Sequence, residues 1–418
     1  MRSGWTGGQY SVHRVLFALY LLVHFAMLWP WAGEVFSSEG MLAPASASPL
    51  YPLFPNPLFV VDAPLAVHGL LALAIAASVA FGLGVRDRAA AIVLWFVWAC
   101  LFTRNPLIAN PGLPFVGWLL LAHAILPRAP YGSWEARGRT DPAGDWAMPP
   151  RLFAAAWIVM AVGYSYSGAT KLVSPSWLDG TALAHVLANP LARPTALREM
   201  LLALPPALLM AATWGALLVE LLFAPLALSS RVRPFLWLAM VGMHVGLMML
   251  IDFADLTVGM LFVHLFTFDP AWVPARRTAS PTLVFYDGSC GLCHGTVRFL
   301  LAEDADGSRF RFAPLDSEAF RSALASPESG FAEGDAVPDS VLVQRPGEAL
   351  LARSDGVLEL GRQLGGLWRL GAAAGSLVPR AIRDAVYDFI ARNRQRLFAR
   401  PADACPILPP ALRERFLV

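Results

Sequence analysis

The sequence predicts an α-helical polytopic membrane bundle of about eight spans followed by a soluble α/β domain, and three observations carry that expectation. Of the 418 residues, 56% are hydrophobic and only 15% are charged, whereas soluble chains carry about 25% charge. Charged residues are sparse from Met1 to about Ala275 and dense from Arg276 onward. Within the sparse part, eight apolar runs approach the roughly 20 residues that a helix needs to cross a hydrocarbon core about 30 Å thick. Two domains follow, a bundle over 1–275 and a soluble domain over 276–418 with an amphipathic tail.

The spans are expected near residues 12–31, 64–84, 89–107, 113–127, 151–171, 205–229, 233–251 and 254–269, the fourth and eighth being short. The first run is long, holds Trp29 and Trp31 and lacks a small-residue cleavage site directly after it, so it reads as a retained span rather than a signal peptide. Arginines concentrate in the segments holding Arg2, Arg14, Arg86, Arg88, Arg128 and Arg231. The excess of positive charge on cytoplasmic loops then places the N-terminus and the C-terminal domain on the cytoplasmic side of an inner membrane. A net charge of +2 gives no case for nucleic acid. The lipid bilayer is the first expected partner.

Ionisable groups at membrane depth are costly and need a reason. His24, His68, His123, His244, His264, Glu220 and Lys171 lie near or inside the runs, with Tyr164, Tyr166 and Ser167 before the lysine. No pair has the spacing of a metal motif, so no metal is expected, and the histidines read as neutral imidazoles bridging helices. Lys171 is the single lysine of the chain. A desolvated lysine can give up its proton near neutral pH and serve as a base, as arginine cannot, whereas the plainer alternative is a side chain snorkelling to the interface.

Ser167-Gly168-Ala169-Thr170-Lys171-Leu172, Trp177-Leu178-Asp179-Gly180, Glu220 ahead of Arg231, and the run from His244 through Gly259-Met260-Leu261 to Asp269-Pro270-Ala271-Trp272 together resemble the horizontally transferred transmembrane (HTTM) family, to which vitamin K-dependent gamma-carboxylase belongs. The resemblance covers roughly residues 10–275. It implies that Lys171 acts as a base on a reduced quinone held in the bundle, with His244, Glu220 and Trp177 as candidates for binding that cofactor. The chain departs from the carboxylase at Ala129–Trp134, where a histidine-containing element is absent, and lacks its large luminal domain, so peptide carboxylation does not follow.

Four cysteines, Cys100, Cys290, Cys293 and Cys405, are too few and too scattered for a disulfide scaffold. Cys100, inside the third run, reads as an apolar filler. The soluble domain opens with the apolar run Thr282–Tyr286, a buried strand by its composition, ended by Asp287-Gly288-Ser289. Cys290 and Cys293 follow at the start of an amphipathic stretch. A cysteine at a helix N-terminus faces unpaired N–H groups and the positive end of the dipole, which stabilise a thiolate, and the second lies one turn on. Further elements are expected as a strand near 309–313, a helix near 316–325, strands near 340–345 and 349–352 and a helix near 355–365. That order resembles a thioredoxin-like fold, which implies that Pro338 is a cis-proline beside the cysteines. An ordinary trans bond is the alternative.

A closer resemblance is to the DCC family of thiol-disulfide oxidoreductases. It is carried by Asp287-Gly288-Ser289-Cys290-Gly291-Leu292-Cys293 and by Pro379, Arg383-Asp384, Tyr387, Asn393-Arg394 and Cys405-Pro406 in the tail. It implies that Cys290 attacks and Cys293 resolves, on a disulfide-bearing protein or a small thiol, with Asp287 either exchanging a proton or capping the turn. Two further readings stay open: the bundle as the main enzyme, quinol-dependent or lipid-modifying and supplied by the dithiol, and a membrane scaffold binding zinc through Cys290, Cys293, His294 and Cys405. The arginine-rich stretch from Arg380 to Arg400 either lies on an anionic leaflet or packs on the soluble domain.

Overall fold

The computed structural model describes the chain except residues 1–2, 49, 52, 109, 253, 289, 332–339, 398–407 and 418, and the side chains of 47, 254, 255 and 395–397. Two compact units form. The first holds His13–Leu126 and Pro149–Phe268, and the second holds Ser3–Val12, Pro127–Met148 and Asp269–Val418. Two short stretches of the hydrophobic part of the sequence thus belong to the second unit.

Each of the eight expected apolar segments is helical: α1 Gly7–Leu28, α2 Pro64–Leu83, α3 Asp87–Arg104, α4 Leu113–Ile125, α5 Pro150–Lys171, α6 Pro206–Leu221, α7 Arg233–Leu250 and α8 Ala254–Thr267. Proline opens α2, α5 and α6, where a missing N–H costs nothing. Helix α2 stops at Gly84, whose φ of 70° is the left-handed cap that glycine takes without strain. Among the described residues, four helices, those beginning at Gly7, Pro64, Pro150 and Arg233, are long and apolar enough to cross a membrane. The count of such helices is therefore smaller than the eight runs. Helix α3 carries Asp87, Arg88 and Arg104, and α4 and α8, with 13 and 14 residues, reach only about 20 Å.

The run expected over 205–229 is preceded by a sharp bend and is broken at Leu222. Ala196–Leu202 and α6 meet at 110°, because Pro205 and Pro206 cannot continue a helix. At the other end Pro225 opposes the carbonyl of Leu221, the group its ring displaces. Ser165 of α5 repairs this break, its hydroxyl donating to the Leu221 carbonyl at 3.1 Å and accepting from the Ala224 amide at 2.9 Å. Just along α5, Gly168 lets the backbones close up, since a Cβ there would stand 2.6 Å from the Leu221 nitrogen.

The second unit is a small α/β domain with β1 Thr282–Tyr286, α9 Gly291–Glu303, β2 Phe310–Pro314, α10 Glu318–Ala325, β3 Leu342–Gln344, β4 Leu350–Leu351, α11 Arg353–Leu364, α12 Gly366–Ser376 and α13 Arg380–Leu397. The described strands form one sheet in the order β2-β1-β3-β4, with β1 and β2 parallel and the other pairs antiparallel. Alternate residues of β1 feed opposite faces. Val284 packs with Val297, Leu300 and Leu364 from α9 and α11, and Phe285 with Phe320 and Ala323 of α10. The sheet is covered on both sides, which fixes where β1 ends and α9 begins.

Candidate functional site

The turn after β1 presents the dithiol. The Cys290 amide donates to the Asp287 carbonyl at 3.2 Å, and the Cys290 carbonyl accepts from His294 at 3.0 Å. Cys290 has extended backbone, φ −98° and ψ 121°, and is the capping residue of α9, as the sequence led us to expect. It therefore stands where the helix leaves N–H groups unpaired. Both cysteines are free and almost enclosed, Cys290 at 6% exposure and Cys293 at 4%.

Their surroundings differ. Burial pushes the Cys293 thiol up to about 12, and its hydrogen bond with Cys290 acts in the same sense, while the Asp287 backbone and the Arg394 charge oppose it. Cys293 thus stays a neutral thiol at ordinary pH. It also borders a cavity of about 520 Å³ whose walls include Leu292, Val341, Leu358, Val386 and Tyr387, within the range of small-molecule sites.

Helix α13 closes the site from the far end of the sequence. Arg394 is ion-paired with the Asp287 carboxylate at 3.3 Å. Tyr387 accepts the Val341 amide at 3.2 Å, and burial raises its phenol above the ordinary value. The sequence marked Tyr387 and Arg394 only as tail residues shared with a family and gave them no place in the site. Pro338 and Cys405, both singled out from the sequence, lie outside the described residues. Among the described residues, no group of three His, Cys, Asp or Glu side chains is placed to hold a metal.

The first unit gathers a second set. The Lys171 ammonium donates to Ser167 at 2.9 Å, pairs with Glu220 and sits 5.0 Å from the Trp177 ring centre. The close approach of α5 and α6 at Gly168 accounts for the meeting of lysine and carboxylate. His244 belongs to an adjoining group: the Tyr164 hydroxyl lies 2.7 Å from its Nε2 and 2.6 Å from that of His264. Glu220 is an electrostatic neighbour of Tyr164. Three residues chosen separately from the sequence, Lys171, Glu220 and Trp177, are thus side by side.

Sheet, turn and helix together define the class: a small α/β domain bearing a free Cys-x-x-Cys pair at a helix N-terminus, beside a largely apolar cavity. The model of the DCC1-like thiol-disulfide oxidoreductase family matches residues 284–400. The chain is 34% identical over 138 residues to the uncharacterised Bacillus subtilis protein YuxK, covering 32% of this chain and 93% of that protein. It is 31% identical over 125 residues to a chloroplastic DCC family protein of Arabidopsis thaliana, covering 30% of this chain and 69% of the relative. No solved structure matches at a significant level. The chain belongs to the DCC1-like thiol-disulfide oxidoreductase family through its C-terminal domain, which gives it a redox role.

Proposed function

We propose that the protein is a membrane-anchored thiol-disulfide oxidoreductase of the protein-disulfide reductase type, with a thioredoxin-like domain on the cytoplasmic side. The observation that carries this is the placement of Cys290 as the cap of α9 with Cys293 one turn on. A Cys290 thiolate attacks one sulfur of a substrate disulfide, forming a mixed disulfide and releasing the other sulfur as a thiolate. Cys293 then gives up its proton and attacks the Cys290 sulfur, freeing the second substrate thiol. The substrate gains two electrons and two protons, the domain is left with a Cys290–Cys293 disulfide, and a cellular thiol must reduce it again. The neutral state of Cys293 suits this order, because a resolving thiol that stays protonated does not compete for the first attack.

The test is reduction of a model protein disulfide by the purified chain. Cys290→Ser is expected to abolish turnover, Cys293→Ser to accumulate a mixed disulfide, and Lys171→Arg to leave the rate unchanged. Full activity in Cys290→Ser would remove the proposal.

A second reading draws on the gathering of Lys171, Glu220, Trp177 and Ser167. It makes the bundle a quinol-dependent or lipid-modifying enzyme of HTTM type, with the dithiol as its reductant. It requires the opposite pattern, in which Lys171→Arg abolishes the activity of membranes containing the protein.

A further inference from the structure

Helix α13 leaves an apolar stripe uncovered beside the dithiol. Ile382, Val386, Phe389 and Ile390 follow the spacing of one helical face, and all four are exposed, Phe389 to 61%. Leu377 and Val378, just ahead of the helix, are also exposed, Leu377 to 85%. The stripe is continuous with the redox site, since Val378, Ile382, Val386 and Ile390 also line the cavity at Cys293.

The charges around the stripe are biased. Helix α13 carries five arginines against two aspartates, with Asp355 pairing Arg380 and Arg383 and Asp287 pairing Arg394 from other elements. Both aspartates are engaged, Asp384 by Ser354 and Arg380 and Asp388 by Arg353. Arg392 and, on α12, Arg369 instead donate to the backbone carbonyls of Asp388 and Pro274. Among the described residues, neither arginine is in an ion pair.

We propose that α13 seats on the surface of an anionic bilayer, with Ile382, Val386 and Phe389 at the acyl boundary and Arg369 and Arg392 among anionic headgroups. The proposal rests on the reading of the chain as membrane-anchored, because apolar helices of the same chain then hold the domain beside that surface. Tethering makes the contact intramolecular in effect, so a short stripe and a few cations suffice. A soluble protein partner would have to bring both an apolar ridge and acidic groups, whereas an anionic leaflet supplies both by its composition. Seated in this way, the mouth of the Cys293 cavity faces lipid.

The full chain is incorporated into nanodiscs of phosphatidylcholine alone or with about one third phosphatidylglycerol, carrying p-benzoylphenylalanine in place of the exposed Phe389. Irradiation followed by peptide mass spectrometry is expected to find phospholipid adducts, more in the anionic discs and about fivefold fewer after Arg392→Gln. Hydrogen exchange of the wild-type α13 amides gives a second readout and is expected to slow in anionic discs. A chain that fails to enter discs at all overturns the anchoring and the docking with it. A chain that enters discs but whose photoproduct joins its own peptides, a second copy or nothing overturns the docking alone.

Discussion

Arg394 reaches from the last long helix to the carboxylate of Asp287 at 3.3 Å, three residues before the first cysteine of the pair. The contact ties α13 to the turn that aims Cys290. Arg394 is 9% and Asp287 27% exposed in their side chains, so water screens the pair only in part. Arg394→Ala is expected to cost about 1–2 kcal/mol of domain stability and to change the alkylation rate of Cys290 across a pH series. An unchanged rate and melting point would mean that the bridge does not hold the turn.

Cys293 differs from an ordinary thiol in the direction set by burial, from 9.0 to about 12. In a Cys290→Ser variant, peptide mapping after iodoacetamide treatment at pH 8 should find Cys293 modified at least about tenfold more slowly than an exposed cysteine. A thiol whose folded value is raised contributes stability that is complete below about pH 9 and is lost as pH climbs toward 12. Cys293→Ala should flatten that alkaline limb of the unfolding curve.

Glu303, at the last turn of α9, accepts from the Thr6 hydroxyl, the Trp368 indole and, at 3.0 Å, the Gly8 amide. Burial nonetheless holds its carboxyl above the usual value of 4.5. Its contribution to stability is therefore greatest below that value and falls as pH rises through the folded one. Glu303→Ala should cost about 2–4 kcal/mol, the sum of several buried donors left unpaired, read by thermal unfolding and by faster exchange at residues 3–12. Glu303→Gln should cost less and remove the pH dependence.

In the first unit, Glu220→Ala leaves the Lys171 ammonium without its carboxylate. The expected loss is about 3 kcal/mol, because a part-buried charge left without its partner is costly. Removing both charges, as Lys171→Met with Glu220→Leu, should recover most of it in detergent melting curves. Failure of the double variant to recover would assign the two residues to something other than mutual neutralisation.

The local part of this architecture was legible in the sequence. Thr282–Tyr286 is a strand over the expected residues because its apolar run is bounded by turn formers, and the helix bearing the cysteines begins where the motif requires. The eight apolar runs are helical for the same reason of composition. The ties that shape the sites were not legible. Arg394 and Asp287 lie 107 positions apart, and Glu303 and Gly8 lie 295 apart. Tyr164 meets His244 and His264 across 80 and 100. No periodicity records such meetings, because they depend on packing between elements. Lys171 and Glu220 stood out in the sequence as charges within apolar runs and Trp177 through a resemblance alone, but their adjacency needed the close helix approach at Gly168. The membership of Ser3–Val12 in the second unit was hidden likewise, since that stretch carries no charge, whereas Pro127–Met148, with Arg128, Glu135, Arg137, Arg139, Asp141 and Asp145, resembles the second unit in its charge.

The two sulfurs one turn apart differ in whether they border the oily chamber. Cys293 lies in the wall of the oily chamber, whereas Cys290 caps its helix at the polar turn and is not part of that wall. Reagents can therefore be sorted by polarity: greasy maleimides have a route toward the inner sulfur that charged ones lack, whatever the intrinsic reactivity of each thiol.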